Sequence, residues 1–419
     1  AVASAHVFGR FLDDSFAPAI RRDVTTATLS RLAANACYRY SAPFLATIAD
    51  GLDVTLSELG IAVAVTELIG LSAPLVGRRV DRLPHRTSML GALVGVGAGS
   101  IVAASSTGVP MFVAGLIVLS IAKITFDVAL GAWIASHVPY ERRGRVVGLI
   151  ETSWALGLLA GVSTMGAVAA LSNWRWGFVA GAAMVAVAAF AITVRLGEER
   201  SSGAVGQEPR HAHPATPRSS TPLRLGARGK WIVAGMFGLM AASQTLFVTF
   251  GAWLEDDYGF GAGFLAAASF GLGALELVAS STAAARTDKW GKERSVLLGA
   301  GVMIPTGLLL AVANGVVVPG LILLGIFIAG FEFAIVSALS MGSQLVPGAP
   351  ARGLGAVIAA GTTGRAVATV PTTWLYERQG FWASALLGVG FAVLTMAAIT
   401  VARTTPADAT DRSRVGTRP

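Results

Sequence analysis

Apolar residues in this chain recur in blocks of about 18 to 25, each long enough at a rise of 1.5 Å per residue to cross about 30 Å of hydrocarbon. The blocks fall near 27–49, 57–76, 88–105, 109–135, 146–171 and 177–195, and again near 231–254, 262–285, 295–313, 316–341, 353–375 and 382–402. Backbone polar groups in lipid must be satisfied within the segment, so blocks of this length read as helices. The pattern predicts an all-α membrane protein of twelve transmembrane helices in two halves of six. A polar stretch rich in Pro, Ser and Arg separates the halves. The expected organisation is a tail at 1–26, a bundle over 27–195, a linker at 196–230, a second bundle over 231–402 and a tail at 403–419.

Of the 419 residues, 54% are hydrophobic and 13% charged, against about 25% charged in soluble domains, which excludes an ordinary soluble enzyme. Fifty glycines suit close helix contacts in lipid. Cys37 is the only cysteine, so neither an intrachain disulfide nor a cysteine-based metal centre is possible. The five histidines lie at 6, 85, 137, 211 and 213, in tails, linker or loops, so no histidine or metal site is expected in the membrane. GVGAGS (Gly95 to Ser100) and GLGAL (Gly271 to Leu275) imitate phosphate loops but lie mid-span, where they read as helix-packing surfaces. With no phosphate-loop lysine motif, no cofactor is expected and a proton gradient is the expected energy source.

Charge placement sets the orientation. With both termini in the cytoplasm, 26 Lys and Arg fall on the inner side, only Arg175 and Arg378 outside, and four within spans. The net charge of +8 is thereby explained by loops beside anionic lipid, without nucleic acid. The expected location is the inner cell membrane. Glu255, Asp256 and Asp257 at an outer span end read as a solvated terminus, and Trp174, Trp176, Trp231, Trp253 and Trp382 as an interfacial belt.

The halves superimpose in sequence at an offset of about 208. GRRVDRLPHR after the second block is echoed by AARTDKWGKER after the eighth, and VPYERRGRVVG from Val138 by VPGAPARGLGA from Val346. With PYERRGR and NWRWGF, these motifs resemble those of the major facilitator superfamily over about 27–402. The resemblance implies two six-helix halves related by a pseudo-two-fold axis, and a cytoplasmic latch. Its residues here are Gly77, Asp81, Arg82, Arg86, Arg142 and Arg145, with Asp288, Lys289 and Arg294 in the second half; Pro84 and His85 depart from the usual motif. The fifth span, WALGLLAGVSTMGAVA, lacks the Gly-Pro pair associated with antiport in the drug-efflux branch.

Charges inside spans are costly and therefore functional candidates. Spans three, six, nine and twelve have none, the pattern left by a central cavity with outer scaffold helices. Arg39, Glu67, Lys123, Glu276, Glu332 and Arg365 lie near span centres, while Arg31, Asp127 and Glu151 lie closer to the cytoplasm. The expected cavity lining is Arg31, Asn35, Tyr38, Arg39, Lys123, Gln244, Phe331 and Arg365. Lys123 and Asp127 are one turn apart and can pair. Glu276 and Glu151 are assigned to Arg365 and Arg31.

Glu332 and Glu67 are the leading proton carriers, followed by Asp127, Glu276 and Glu151. The expected function is proton-coupled efflux of small amphiphilic compounds by a monomeric transporter, with no enzymatic activity. The alternatives are a symporter for organic anions, and a lipid flippase or sensor.

Overall fold

In a computed structural model, which describes residues 12, 16–80, 82–138, 140–196, 225–313, 315–342, 344–346 and 350–405, the described residues form helices and contain no strand. The first span is α1 (Pro18–Arg39) and α2 (Leu45–Gly51), interrupted at 40–44. Pro43 lies in this break and has no N–H to continue the ladder. The second span comprises α3 (Leu56–Leu68), a 3₁₀ turn (Ile69–Ser72) and α4 (Ala73–Val80). A reciprocal Thr55–Glu58 cap starts it: each backbone N–H donates to the other's side chain, at 2.9 and 3.2 Å.

The third, fourth and sixth spans are α5 (His85–Ala104), α6 (Val109–His137) and α9 (Trp174–Arg195). Between the last two runs the fifth span, α7 (Tyr140–Leu156) and α8 (Ser163–Ala170), joined by a π-helical segment (Gly157–Val162). The second half contains α10 (Ala227–Phe247) with α11 (Phe250–Asp256), α12 (Ala262–Trp290), α13 (Lys292–Ala313), α14 (Val317–Gly342), α15 (Pro350–Gln379) and α16 (Phe381–Thr404).

These helices make twelve spans in two halves of six, as expected. Among the described residues, ten segments are long and apolar enough to cross a membrane on their own. The exceptions are the two broken spans at the start, where Arg21, Arg22, Asp23, Arg31 and Arg39 dilute the apolar run of α1. Most helix boundaries differ by a few residues from the sequence reading. The first helix starts at Pro18 rather than 27, α10 starts at Ala227 rather than 231, and the last helix runs to Thr404. Amphipathic first turns extend past the hydrocarbon, so hydropathy alone misses them.

The repeat is visible in the backbone. The first and seventh spans both break near one end, and the breaks begin at Tyr40 and Val248, 208 residues apart. The charge-free spans stand outside, α5 packing on α9 and α13 on α16. In the mid-span glycine run, a Cβ on Gly99 would come within 2.6 Å of the Leu119 backbone, so α5 and α6 touch through glycine.

The halves meet through α3 against α15 and the fifth span against α12. One end of the molecule carries the basic loops; the other carries Asp50, Asp53, Glu255, Asp256, Asp257 and Glu377. At the acidic end the halves are bonded together. Thr47 binds Glu255, and Ser57 gives its backbone N–H (2.8 Å) and its hydroxyl to Glu377. Gly251 lies so close to the first-span break that a Cβ would stand 1.9 Å from the Pro43 carbonyl oxygen. Between these contacts is a cavity of about 380 Å³ lined in part by Ala49, Asp256, Tyr376 and Glu377.

Two sequence readings are corrected here. Glu255 and Asp256 are not merely solvated, since Tyr376 donates to Asp256 at 2.8 Å and Glu255 joins the halves. Trp253 and Trp174 belong to the core rather than to an interfacial belt. Trp253 is fully buried and stacks on Phe381 at 4.5 Å, and Trp174 packs edge-on against Phe112. Trp176, Trp231 and Trp382 remain exposed.

Overpacking at a backbone contact costs about 1–3 kcal/mol, which disfavours the closed acidic end by roughly tenfold. Gly251→Ala is therefore expected to raise thiol labelling of an Ala49→Cys reporter about tenfold, with native Cys37 silent because it is buried. An unchanged labelling rate would show that this contact does not hold the acidic end shut.

Candidate functional site

Five acids and four cations lie inside the spans, and the fold sorts them into three groups. In the first, Arg39 reaches across the halves from the end of α1 and grips Glu276 of α12 through two bonds of 2.8 and 2.6 Å. It also donates to the Trp154 carbonyl at 3.0 Å, and its guanidinium lies 4.6 Å from the Trp154 ring centre. The Arg39 and Glu276 side chains are 7% and 0% exposed. A bidentate guanidinium satisfies both carboxylate oxygens, the condition for an ion pair to survive burial.

The second group crosses the halves with opposite polarity. Arg365 of α15 donates to Glu67 of α3 at 2.6 Å, and Tyr38 donates to the other Glu67 oxygen at 3.1 Å. The Tyr38 ring has Lys123 and Arg365 each 6.0 Å from its centre. Beside this group Gln244 donates to Thr369 at 3.0 Å.

The third group stays within the first half. Arg31 binds Asp127 at 3.0 Å and Glu151 at 2.9 Å, and Lys123 binds Asp127 one turn away. Asn35 donates to Ser153 at 3.3 Å. Asp127 and Glu151 are 34% and 54% exposed although Arg31 between them is only 12% exposed. Glu151 lies eleven residues into α7, about 16 Å from the basic end at helical rise. These two carboxylates are therefore accessible well inside the bundle, on the side of the basic end.

Glu332 belongs to no ion pair among the described residues. It is 4% exposed, and its Oε1 has no hydrogen-bond partner. Its electrostatic neighbours are Arg39 and Glu276, and its carboxyl faces the Trp154 side chain.

The expected Arg31–Glu151 and Lys123–Asp127 pairs are present. Two expectations are corrected. Glu276 pairs with Arg39, not Arg365, because α12 faces the fifth span and the first-span break while α15 faces α3. Glu67 is accordingly not free but held by Arg365 and Tyr38.

Nor is the midplane an open chamber among the described residues. Arg39, Glu67, Lys123, Glu276, Phe331 and Glu332 are all buried, since cross-half pairs and aromatic rings close the layer.

Of the latch residues, Gly77 lies on α4, while Arg82, Lys289 and Arg294 are exposed. Arg86 donates to the Thr193 carbonyl at 2.6 Å, within its own half. The side chains of Asp81, Arg142, Arg145 and Asp288 lie outside the described residues.

Trp154 and Ser153 were not separated by sequence reasoning from the rest of the fifth span. The available signal was an aromatic residue and a hydroxyl next to Glu151, ahead of a glycine-rich stretch.

The family model of the Major Facilitator Superfamily matches residues 27–373, and the chain belongs to that superfamily. It is 28% identical over 137 residues to the uncharacterized MFS-type transporter YwfA of Bacillus subtilis, covering 32% of this chain and 33% of the relative. It is 29% identical over 187 residues to the chloramphenicol resistance protein of Streptomyces lividans, covering 43% and 47%. The matches thus span about a third to a half of these relatives. Among solved structures, a bacterial homologue of the human lysosomal transporter Spinster, in an inward-facing and occupied conformation, superimposes with a TM-score of 0.74. That match covers 93% of this chain and 98% of the homologue at 12% identity, and supports the fold alone.

Removing one partner of a buried pair costs about 3–5 kcal/mol. Arg39→Met leaves Glu276 and Glu332 both without their neighbouring cation, whereas Glu276→Leu leaves Arg39 beside Glu332. Melting in detergent is expected to rank Arg39→Met well below Glu276→Leu, with the double variant recovering most of the loss. Equal losses would mean that Glu332 does not share Arg39.

Proposed function

We propose that this transporter exports small amphiphilic organic compounds in exchange for protons, working by alternating access with its basic end in the cytoplasm of the inner membrane. The observation that carries this reading is the unpaired carboxyl of Glu332. Every other acid inside the spans has a cation within bonding distance. Arg39, Glu276 and an ionised Glu332 together carry one net negative charge in a dry layer, and one proton cancels it. A group of this kind can load and release a proton while the two cross-half pairs, Arg39–Glu276 and Arg365–Glu67, separate and re-form as the halves rock.

With the basic end inside, the conformation is the one that receives substrate from the cytoplasm. It is bonded shut at the acidic end, while Asp127 and Glu151 are accessible on the side of the basic end. Tyr38, Trp154 and Phe247 around Arg39 and Arg365 supply apolar bodies with polar edges, suited to an amphiphilic substrate. Similarity to a chloramphenicol resistance protein supports export. Arg39, Lys123 and Arg365 are each already engaged by a carboxylate, which weighs against uptake of an organic anion as their purpose.

The test is accumulation of chloramphenicol and other amphiphiles in everted vesicles under an inside-acid gradient. Accumulation is expected in the native protein, and Glu332→Gln should lose the response to the gradient while still exchanging substrate across the membrane. Full gradient-driven accumulation by Glu332→Gln would remove this carboxyl from the coupling step.

A further inference from the structure

The uncharged residue that meets both Arg39 and Glu332 is Trp154. Its carbonyl accepts from Arg39 at 3.0 Å, its ring lies 4.6 Å beneath that guanidinium, and its side chain faces the Glu332 carboxyl. The ring is also tilted against Tyr38 at 6.5 Å, so it stands between the two cross-half ion pairs.

Trp154 lies three residues before the π-helical segment Gly157–Val162. A π turn inserts a residue into the helix and rotates everything beyond it by about 100° relative to a regular α-helix. Glycine contacts wedge this segment on both sides. A Cβ on Gly161 would stand 2.3 Å from the Ala36 Cβ of α1, and one on Gly273 of α12 would stand 2.4 Å from the Leu159 backbone nitrogen. Gly273 is one turn from Glu276 on α12, so a shift of the fifth span along α12 moves Trp154 relative to Glu276 and Glu332.

We propose that Trp154 is the positioning residue of the coupling carboxyl. Its indole N–H steadies the ionised Glu332 while its carbonyl and ring keep Arg39 on Glu276, so that movement of the fifth span changes how readily Glu332 takes a proton. This rests on the reading of Glu332 as the coupling group.

The charged groups facing Glu332 are Arg39 from α1, Glu276 from α12 and Glu151 from α7. On the other helices packed against α14, Arg365 of α15 is bound to Glu67. Arg228 and Lys230 of α10, and Lys292, Glu293 and Arg294 of α13, stand at the basic end.

Trp154→Phe keeps an aromatic face and removes the N–H. The pH of half-maximal transport is expected to rise by about one unit, since the ionised form loses its donor. In the Glu332→Gln background, Trp154→Phe should move no pH profile. An unshifted profile for Trp154→Phe, alongside a profile abolished by Glu332→Gln, would overturn the role of Trp154 and leave Glu332 standing. A native profile in Glu332→Gln would sink both readings.

If Trp154→Phe does not accumulate in the membrane, the difference in tryptophan emission between high and low pH provides the check. Native protein should show a pH-dependent change that Glu332→Gln lacks, and identical traces would overturn the proposal.

Discussion

The bidentate grip of Arg39 on Glu276 is the contact on which the arrangement of this molecule depends. It forms in a dry layer where each charge alone would be prohibitive, and it joins a helix of one half to a helix of the other. Because α1 ends at Arg39 and the chain then breaks at 40–44, the guanidinium is carried to the middle of the molecule on the last turn of a helix. Arg365 and Glu67 make the reciprocal contact. Each half thus offers one cation and one anion to the other, a balance that leaves the interface neutral wherever the pairs are made.

One carboxyl stands outside that balance. Lys123, which by charge count alone was available to Glu332, is held by Asp127 on its own helix, and Arg31 takes the remaining Asp127 oxygen together with Glu151. These local pairs consume the spare cations. Glu332 is left beside an arginine whose two-pronged bond is already committed, and its charge state becomes the variable that the surrounding structure must accommodate.

The two ends of the molecule are built on different principles. The acidic end is bonded shut by hydroxyl and backbone donors of the first half binding carboxylates of the second, at Thr47–Glu255 and Ser57–Glu377, and by a glycine that lets backbones touch. Contacts of this kind use short side chains and break without leaving a buried charge. The basic end instead exposes carboxylates deep inside, at Asp127 and Glu151. The fifth span, with its π segment where a proline-bearing signature is absent, runs between these regimes and carries Trp154 just ahead of that segment.

The twelve spans, their division into sixes and the outer position of the charge-free helices were legible from hydropathy and charge alone, because lipid imposes a length and a polarity that every span must obey. The intrahelical pair Lys123–Asp127 was legible too, since a spacing of four determines its geometry. What the amino-acid order left open was which helix faces which across the interface. Arg39 rather than Arg365 meets Glu276, Glu67 is engaged, and Trp154 becomes the hub of the Glu332 group, all through contacts between residues more than a hundred positions apart. Local spacing carries no record of such contacts; only the packing of one bundle against the other decides them.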